Sequence, residues 1–240
     1  MFSFAALANY SVALRRASYR EASEDRAVAV TTFTESLVLA VAGGVGGGGG
    51  VGGGGEAASL AMETVEFEAE KLARKGERLW RGFFKALDDA LVAHPDAGQT
   101  TLVALCLTSQ KIIGASVGSS EAWWITADGH FDLTEAQKRK PTLGSGSAEP
   151  VPFKLKLSGP GTLLLASEGL FKYADPLAIT EAVRSAASAD AAADALLALA
   201  SAPAGRFYDD VALIVVRVET KSVRDTIAPW TRFLHRFKAG

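Results

Sequence analysis

A glycine tract constrains this chain more than any other feature. Between Gly43 and Gly55, eleven of thirteen residues are glycine. The run just before it, Ser36 to Ala42, has the length and near-continuous apolarity of a buried strand. Just after it, Glu56 opens a stretch rich in Ala, Glu, Lys and Leu, which reads as helix. The tract is therefore a strand–loop–helix junction and not a spacer between domains. Glycine at such a junction allows positive φ and close approach of another group to the main chain. Its amides, beside a helix N-terminus, suit an anion. The tract has no side chain able to do chemistry, so reacting groups must come from elsewhere. It contains G-x-G-x-x-G trivially, no Gly-Lys-Ser/Thr follows, and the helical region is too long for a dinucleotide unit.

On either side of the tract the chain alternates between strand and helix patterns. Part of Phe2–Leu14 reads as a first strand, and Ala27–Phe33 as a second that forms a hairpin with the Leu37 strand. That hairpin puts Glu24 and Asp25 at the end of the sheet where the glycine loop emerges. Glu56 to His94 is an amphipathic helical region, broken or kinked at Gly76, with Asp88 and Asp89 read as a solvated face. Thr100–Thr108, Lys111–Val117 and Glu121–Thr126 read as strands, and alternation puts Trp123 and Trp124 on opposite faces, with one of them in the core. Residues 127–150 read as a polar loop carrying the solvated basic run Lys138-Arg139-Lys140. Phe153–Leu157 and Thr162–Ser167 are further strands, and Ile179–Ala202 is helical, with two helices meeting near Asp190. Asp210–Val218 is the strongest strand, and Ser222–Phe237 has a helical apolar stripe. Sheets covered by helices make an α+β fold.

The 240 residues are 48% apolar and 22% charged, enough for a sizeable core. A net charge of −2 argues against nucleic acid or an anionic membrane as partner. The single cysteine, Cys106, has no disulfide partner within the chain and reads as a buried strand thiol. No apolar run approaches the roughly 20 residues of a membrane span, and the opening lacks a basic leader. These features point to a cytoplasmic protein.

Three acidic sites fall at strand ends: Glu24–Asp25, Glu168 and Asp209–Asp210. Carboxylates gathered this way hold hard divalent ions such as Mg²⁺ or Mn²⁺. His94, His130 and His235 are too scattered for a zinc site and read as surface residues.

Six pieces in order then resemble the metal-dependent protein phosphatases (the PPM family, type 2C serine/threonine phosphatases). These are Arg20-Glu-Ala-Ser-Glu24-Asp25, the Ala42-Gly43-Gly44-Val45-Gly46-Gly47 junction with Glu56-Ala-Ala-Ser59, Thr100-Thr101-Leu102, Gly118-Ser119-Ser120-Glu121, Ser167-Glu168-Gly169-Leu170, and Asp209-Asp210-Val211. The resemblance spans residues 5–218. It implies a β-sandwich of two antiparallel sheets flanked by pairs of antiparallel helices, over a domain of residues 1–220; the helical stretch at 221–240 lies beyond the family core as a C-terminal extension. It also implies hydrolysis of phosphoserine or phosphothreonine by a water activated between two Mn²⁺ or Mg²⁺ ions. Carried over residue by residue, Arg20 holds the phosphate, Glu24 and the Gly44 carbonyl bind one metal with Asp25 in its outer shell, and Glu168 and Asp209 bind the other.

Three positions depart from the family pattern. Gly43 stands where the family has the aspartate that bridges both ions, Ser119 replaces an aspartate linked to a third ion, and Glu168 lengthens another metal carboxylate by one methylene. Losing the bridge removes a full negative charge from between two dications. The expectation is a weak or degenerate phosphatase, or alternatively a pseudophosphatase that binds a phosphoprotein or signalling partner without turnover. The apolar stripe of the C-terminal extension is expected to pack on the domain.

Overall fold

The computed structural model describes residues 9–45, 53–74 and 76–219. The middle of the glycine tract and the C-terminal extension lie outside the described residues. In chain order, β1 (Asn9–Arg15), β2 (Arg26–Thr31), β3 (Leu37–Ala42) and the short β4 (Gly44–Val45) lead to α1 (Gly54–Leu72) and α2 (Glu77–Ala93). Next come β5 (Gln99–Thr100), β6 (Leu102–Leu107), β7 (Lys111–Val117), β8 (Glu121–Thr126) and β9 (Gly129–Asp132). The chain continues with β10 (Val151–Lys156), β11 (Gly161–Ala166), α3 (Glu168–Tyr173), α4 (Pro176–Ser185), α5 (Ala189–Ala200) and β12 (Val211–Val218).

The strands form two antiparallel five-stranded sheets, ordered β1-β12-β11-β8-β9 and β10-β7-β6-β3-β2, and a small β4-β5 pair. The sheets pack face to face through Leu39, Leu105, Leu163 and Ile214. On the outer face of one, α1 and α2 cover Val38, Ala104 and Ile113 with Ala61, Val65, Phe84 and Leu87. On the outer face of the other, α4 and α5 cover Leu164, Leu213 and Val215 with Ile179, Leu196 and Leu197. Strands β3 and β6 are buried at every position because both sheet faces are covered. Burying this apolar area on both faces is the main force holding the four layers together.

Several expectations change at this level. Trp123 and Trp124 do alternate, but both are buried: Trp124 lies between the sheets, and Trp123 lies under the helices, stacked on His130. Asp88 is not a solvated face. It is buried on α2 and accepts the backbone N–H groups of Gly144, Gly146 and Ala148, so it organises the 142–148 loop. Asp89 is solvated and pairs with Lys85. The polar stretch after β8 contains the extra strand β9, while the alanine-rich region is two helices that meet at residues 186–188, near Asp190. Ser188 caps α5 by accepting the N–H of Ala191.

Candidate active site

The β2–β3 hairpin pairs Arg26 with Ala42, which sets Glu24 and Asp25 beside the start of the glycine tract. Gly44 donates its N–H to the Glu24 carbonyl at 3.2 Å. A Cβ on Gly44 would meet Glu24 Cβ at 2.7 Å and the Gly54 carbonyl carbon at the same distance. The two ends of the tract and the acidic loop thus meet at one point, which only glycine allows.

Asp210, just before β12, ties the β1–β2 connection to this end of the sandwich. It is 1% exposed and accepts the N–H groups of Ala17 and Glu24, both at 2.7 Å, and the Arg20 guanidinium at 3.0 Å. Arg20 also pairs with Glu24. Its neighbour Asp209 points elsewhere and meets Lys172 Nζ at 3.4 Å. At the end of β11, Ser167 accepts the Ala212 N–H, and Glu168 opens α3. A Cβ on Gly169 would lie 2.0 Å from the Asp210 carbonyl oxygen, so glycine is required for α3 to start against β12. Glu168 accepts the Ser119 hydroxyl and the Arg139 guanidinium, each at 2.8 Å. The basic run is therefore not wholly free in solvent: Arg139 reaches the site, and Lys138 pairs with Glu149.

Gly43 sits at the centre. Its N–H donates to Thr101 Oγ1 at 3.0 Å, and its carbonyl accepts the Thr101 N–H and the Thr100 hydroxyl. A Cβ here would lie 3.1 Å from Thr101 Oγ1, 3.3 Å from Asp25 Oδ1 and 3.8 Å from Ser120 Oγ. The absent side chain leaves a notch walled by oxygen atoms. Asp25 is 5% exposed, and its Oδ2 has no hydrogen-bond partner. Burial pushes this carboxyl up to about 7; the charges of Asp210 and Asp209 add to the rise, while the Ser167 hydroxyl and Arg20 oppose it.

The structure thus brings Arg20, Glu24, Asp25, Gly44, Glu168 and Asp209 to one end of the sandwich. Sequence reasoning missed Asp210 as the buttress and Arg139 as a neighbour of Glu168. The Asp-Asp pair before a strand was a visible signal for the first; nothing local signalled the second.

Does a two-metal centre fit these residues? Among the described residues, no group of three or more His, Cys, Asp or Glu side chains is arranged to hold a metal ion. The central position between the acidic groups is a glycine, with only main-chain atoms to offer. Glu24, Glu168 and Asp209 are each engaged by a cationic side chain. The residues present do not fit a bridged pair of divalent ions.

A family model described as Stage II sporulation protein E (SpoIIE) matches residues 48–219. The chain belongs to the SpoIIE family, of the PPM phosphatases. Solved structures agree on the fold. A bacterial serine phosphatase is 19% identical with a TM-score of 0.77, over 89% of this chain and 99% of that one. The Staphylococcus aureus serine/threonine phosphatase Stp1 is 18% identical with a TM-score of 0.75, over 88% and 95%. The catalytic domain of the serine/threonine protein phosphatase PstP, in complex with two manganese ions, is 20% identical with a TM-score of 0.73, over 89% and 99%. A comparison with curated proteins finds no match. This SpoIIE-family chain thus has the PPM sandwich, with glycine at the centre of its acidic end.

Proposed function

We propose that this chain is a PPM-type serine/threonine phosphatase domain whose two-metal hydrolysis is degenerate, and that it works as a pseudophosphatase binding a phosphoprotein or signalling partner. The observation that carries the reading is Gly43. Two dications held close together need an anion between them, and at an effective dielectric near 20 a unit negative charge ~4 Å from a dication is worth about 8 kcal/mol, twice the value for two unit charges. Glycine supplies none of this. Without the pair, the attacking water keeps a high pKa and the phosphoryl charge is not neutralised.

What remains supports binding. Arg20 is held in place by Asp210, and its exchange of Glu24 for a phosphate keeps one charge-assisted bond while forming another. Among the described residues, no helix is long and apolar enough to cross a membrane; a cytoplasmic setting belongs to this proposal, and the buried free thiol of Cys106 is compatible with it.

The test is hydrolysis of an aryl phosphate and a phosphothreonine peptide, with and without Mn²⁺, by the native chain and by Gly43→Asp. The notch accepts a Cβ with a shift of a few tenths of an ångström in Thr101, so the variant is expected to fold. The native chain is expected to be inert and Gly43→Asp to gain Mn²⁺-dependent turnover. Native turnover that disappears on Asp209→Ala would overturn the proposal.

A further inference from the structure

We infer that residues 227–237 of the C-terminal extension dock as an amphipathic helix in the groove between α1 and α2, a contact independent of the phosphate-binding reading.

The two helices build the groove. Thr64, Glu68 and Lys71 of α1 and Leu79, Phe83 and Leu87 of α2 line a cavity of about 200 Å³. A cavity of roughly 150 Å³ is enough to take a benzene ring. On its α2 side Gly82, Ala86 and Ala90 recur every fourth residue, and all three are exposed among the described residues. A Cβ on Gly82 would meet nothing within 4 Å. Phe67, 87% exposed, stands one turn from Thr64 and Lys71 on α1. Small and aromatic residues thus leave an apolar helix surface without a partner among the described residues.

The C-terminal extension matches this surface in position, reach, pattern and charge. Strands β2 and β12 and helix α1 all start at the acidic end, at Arg26, Val211 and Gly54, and run away from it. Their far ends therefore lie together, and the Phe33 N–H just after β2 does meet Glu70 near the end of α1, at 2.6 Å. The chain leaves β12 at this same end, where α1 turns back into α2. From there the groove is two layers of roughly 10 Å away. Residues 219–226, fully extended, span up to about 26 Å. Beyond them Trp230, Phe233, Leu234 and Phe237 recur at the spacing of one helical face. That face is about 10 Å long, against roughly 12 Å from Gly82 to Ala90.

Charge selects between the surfaces within reach. Helix α1 carries five glutamates against the single Lys71, and residues 221–238 carry five Lys or Arg against the single Asp225. The other apolar hollow at this end, about 310 Å³ beside Val218, is rimmed by Arg184 and Arg217 and repels such a segment. The short tether holds the segment at an effective concentration in the millimolar range, which favours its own groove over a second molecule.

The experiment places a thiol in the groove of the full chain. Cys106 is buried, so Ala86→Cys supplies the reactive thiol, and its modification by N-ethylmaleimide is followed with time. Asp89→Cys, on the exposed side of α2 where Asp89 pairs with Lys85, is the control. Adding Phe233→Asp should speed modification at position 86 at least about fivefold and leave position 89 unchanged. Adding Arg232→Glu with Arg236→Glu instead should speed it about twofold at low salt and less at high salt. Circular dichroism checks folding, and the arginine pair carries the test if Phe233→Asp does not fold. Equal rates at position 86 with and without these changes would overturn the inference. Protection that rises with protein concentration would overturn it in favour of a second copy. Equal rates together with binding to phosphatidylserine vesicles would assign the basic helix to a membrane surface instead.

Discussion

Two buried carboxylates at the same end of the sandwich have opposite fates. Asp210 is 1% exposed and takes three donors, two from the backbone and one from Arg20. Asp25 is 5% exposed and leaves one oxygen with none. Burial alone therefore says little about a carboxylate. Asp210 is satisfied by the fold and fastens the β1–β2 connection to β12, across a sequence separation of 193 residues. Asp25 is a cost that the fold tolerates, and such costs collect where a site awaits something else. Asp88 belongs with Asp210: it is buried, anchored by three backbone N–H groups, and structural.

The largest effect expected from this contrast is at Asp210. Asp210→Ala removes one of the two carboxylates that hold Arg20 and leaves two backbone N–H groups unpaired, and should cost about 3–5 kcal/mol in chemical denaturation. A loss below about 1 kcal/mol would mean that the buttress is not the anchor described here.

Asp25 should behave in the reverse sense. Its folded-state pKa, about 7, lies above the ordinary aspartate value of 3.8, so the folded state binds the extra proton between those values. Stability from this group is then complete below about pH 4, falls as pH rises toward 7, and stays low above it. In EDTA, Asp25→Asn should remove that slope and stabilise the chain at pH 8 by roughly 2 kcal/mol. Urea denaturation at pH 5 and pH 8 measures both. A native chain more stable at pH 8 than at pH 5, with the variant showing the same slope, would erase the contrast.

The smallest effect belongs to the ion pair on the rim. Arg139 and Glu168 have side-chain exposures of 70% and 42%. Water and salt screen such a pair, so Arg139→Gln should change stability by no more than about 0.5–1 kcal/mol. A larger loss would place Arg139 among the structural groups with Asp210 and Asp88.

Much of the fold was legible because the sandwich is covered on both faces. That arrangement turns β3, β6, β11 and β12 into continuous apolar runs, which stand out in a sequence. The same arrangement defeated the reading of Trp123 and Trp124. Strand alternation tells which face a side chain takes, but not whether a helix lies on that face. Asp88 misled for a related reason. Its neighbours on α2 are charged, and the loop that buries it returns more than fifty residues later.

By itself, the sequence determined that a strand, a glycine loop and a helix meet at residues 36–60, that acidic groups end several strands, and that position 43 brings no side chain. These are properties of residue type and local spacing. Only the tertiary structure decided that Asp210 is satisfied and Asp25 is not, and that Arg139 reaches Glu168. Whether a buried charge finds a partner depends on chain segments brought together by core packing, and no local pattern encodes which donors arrive.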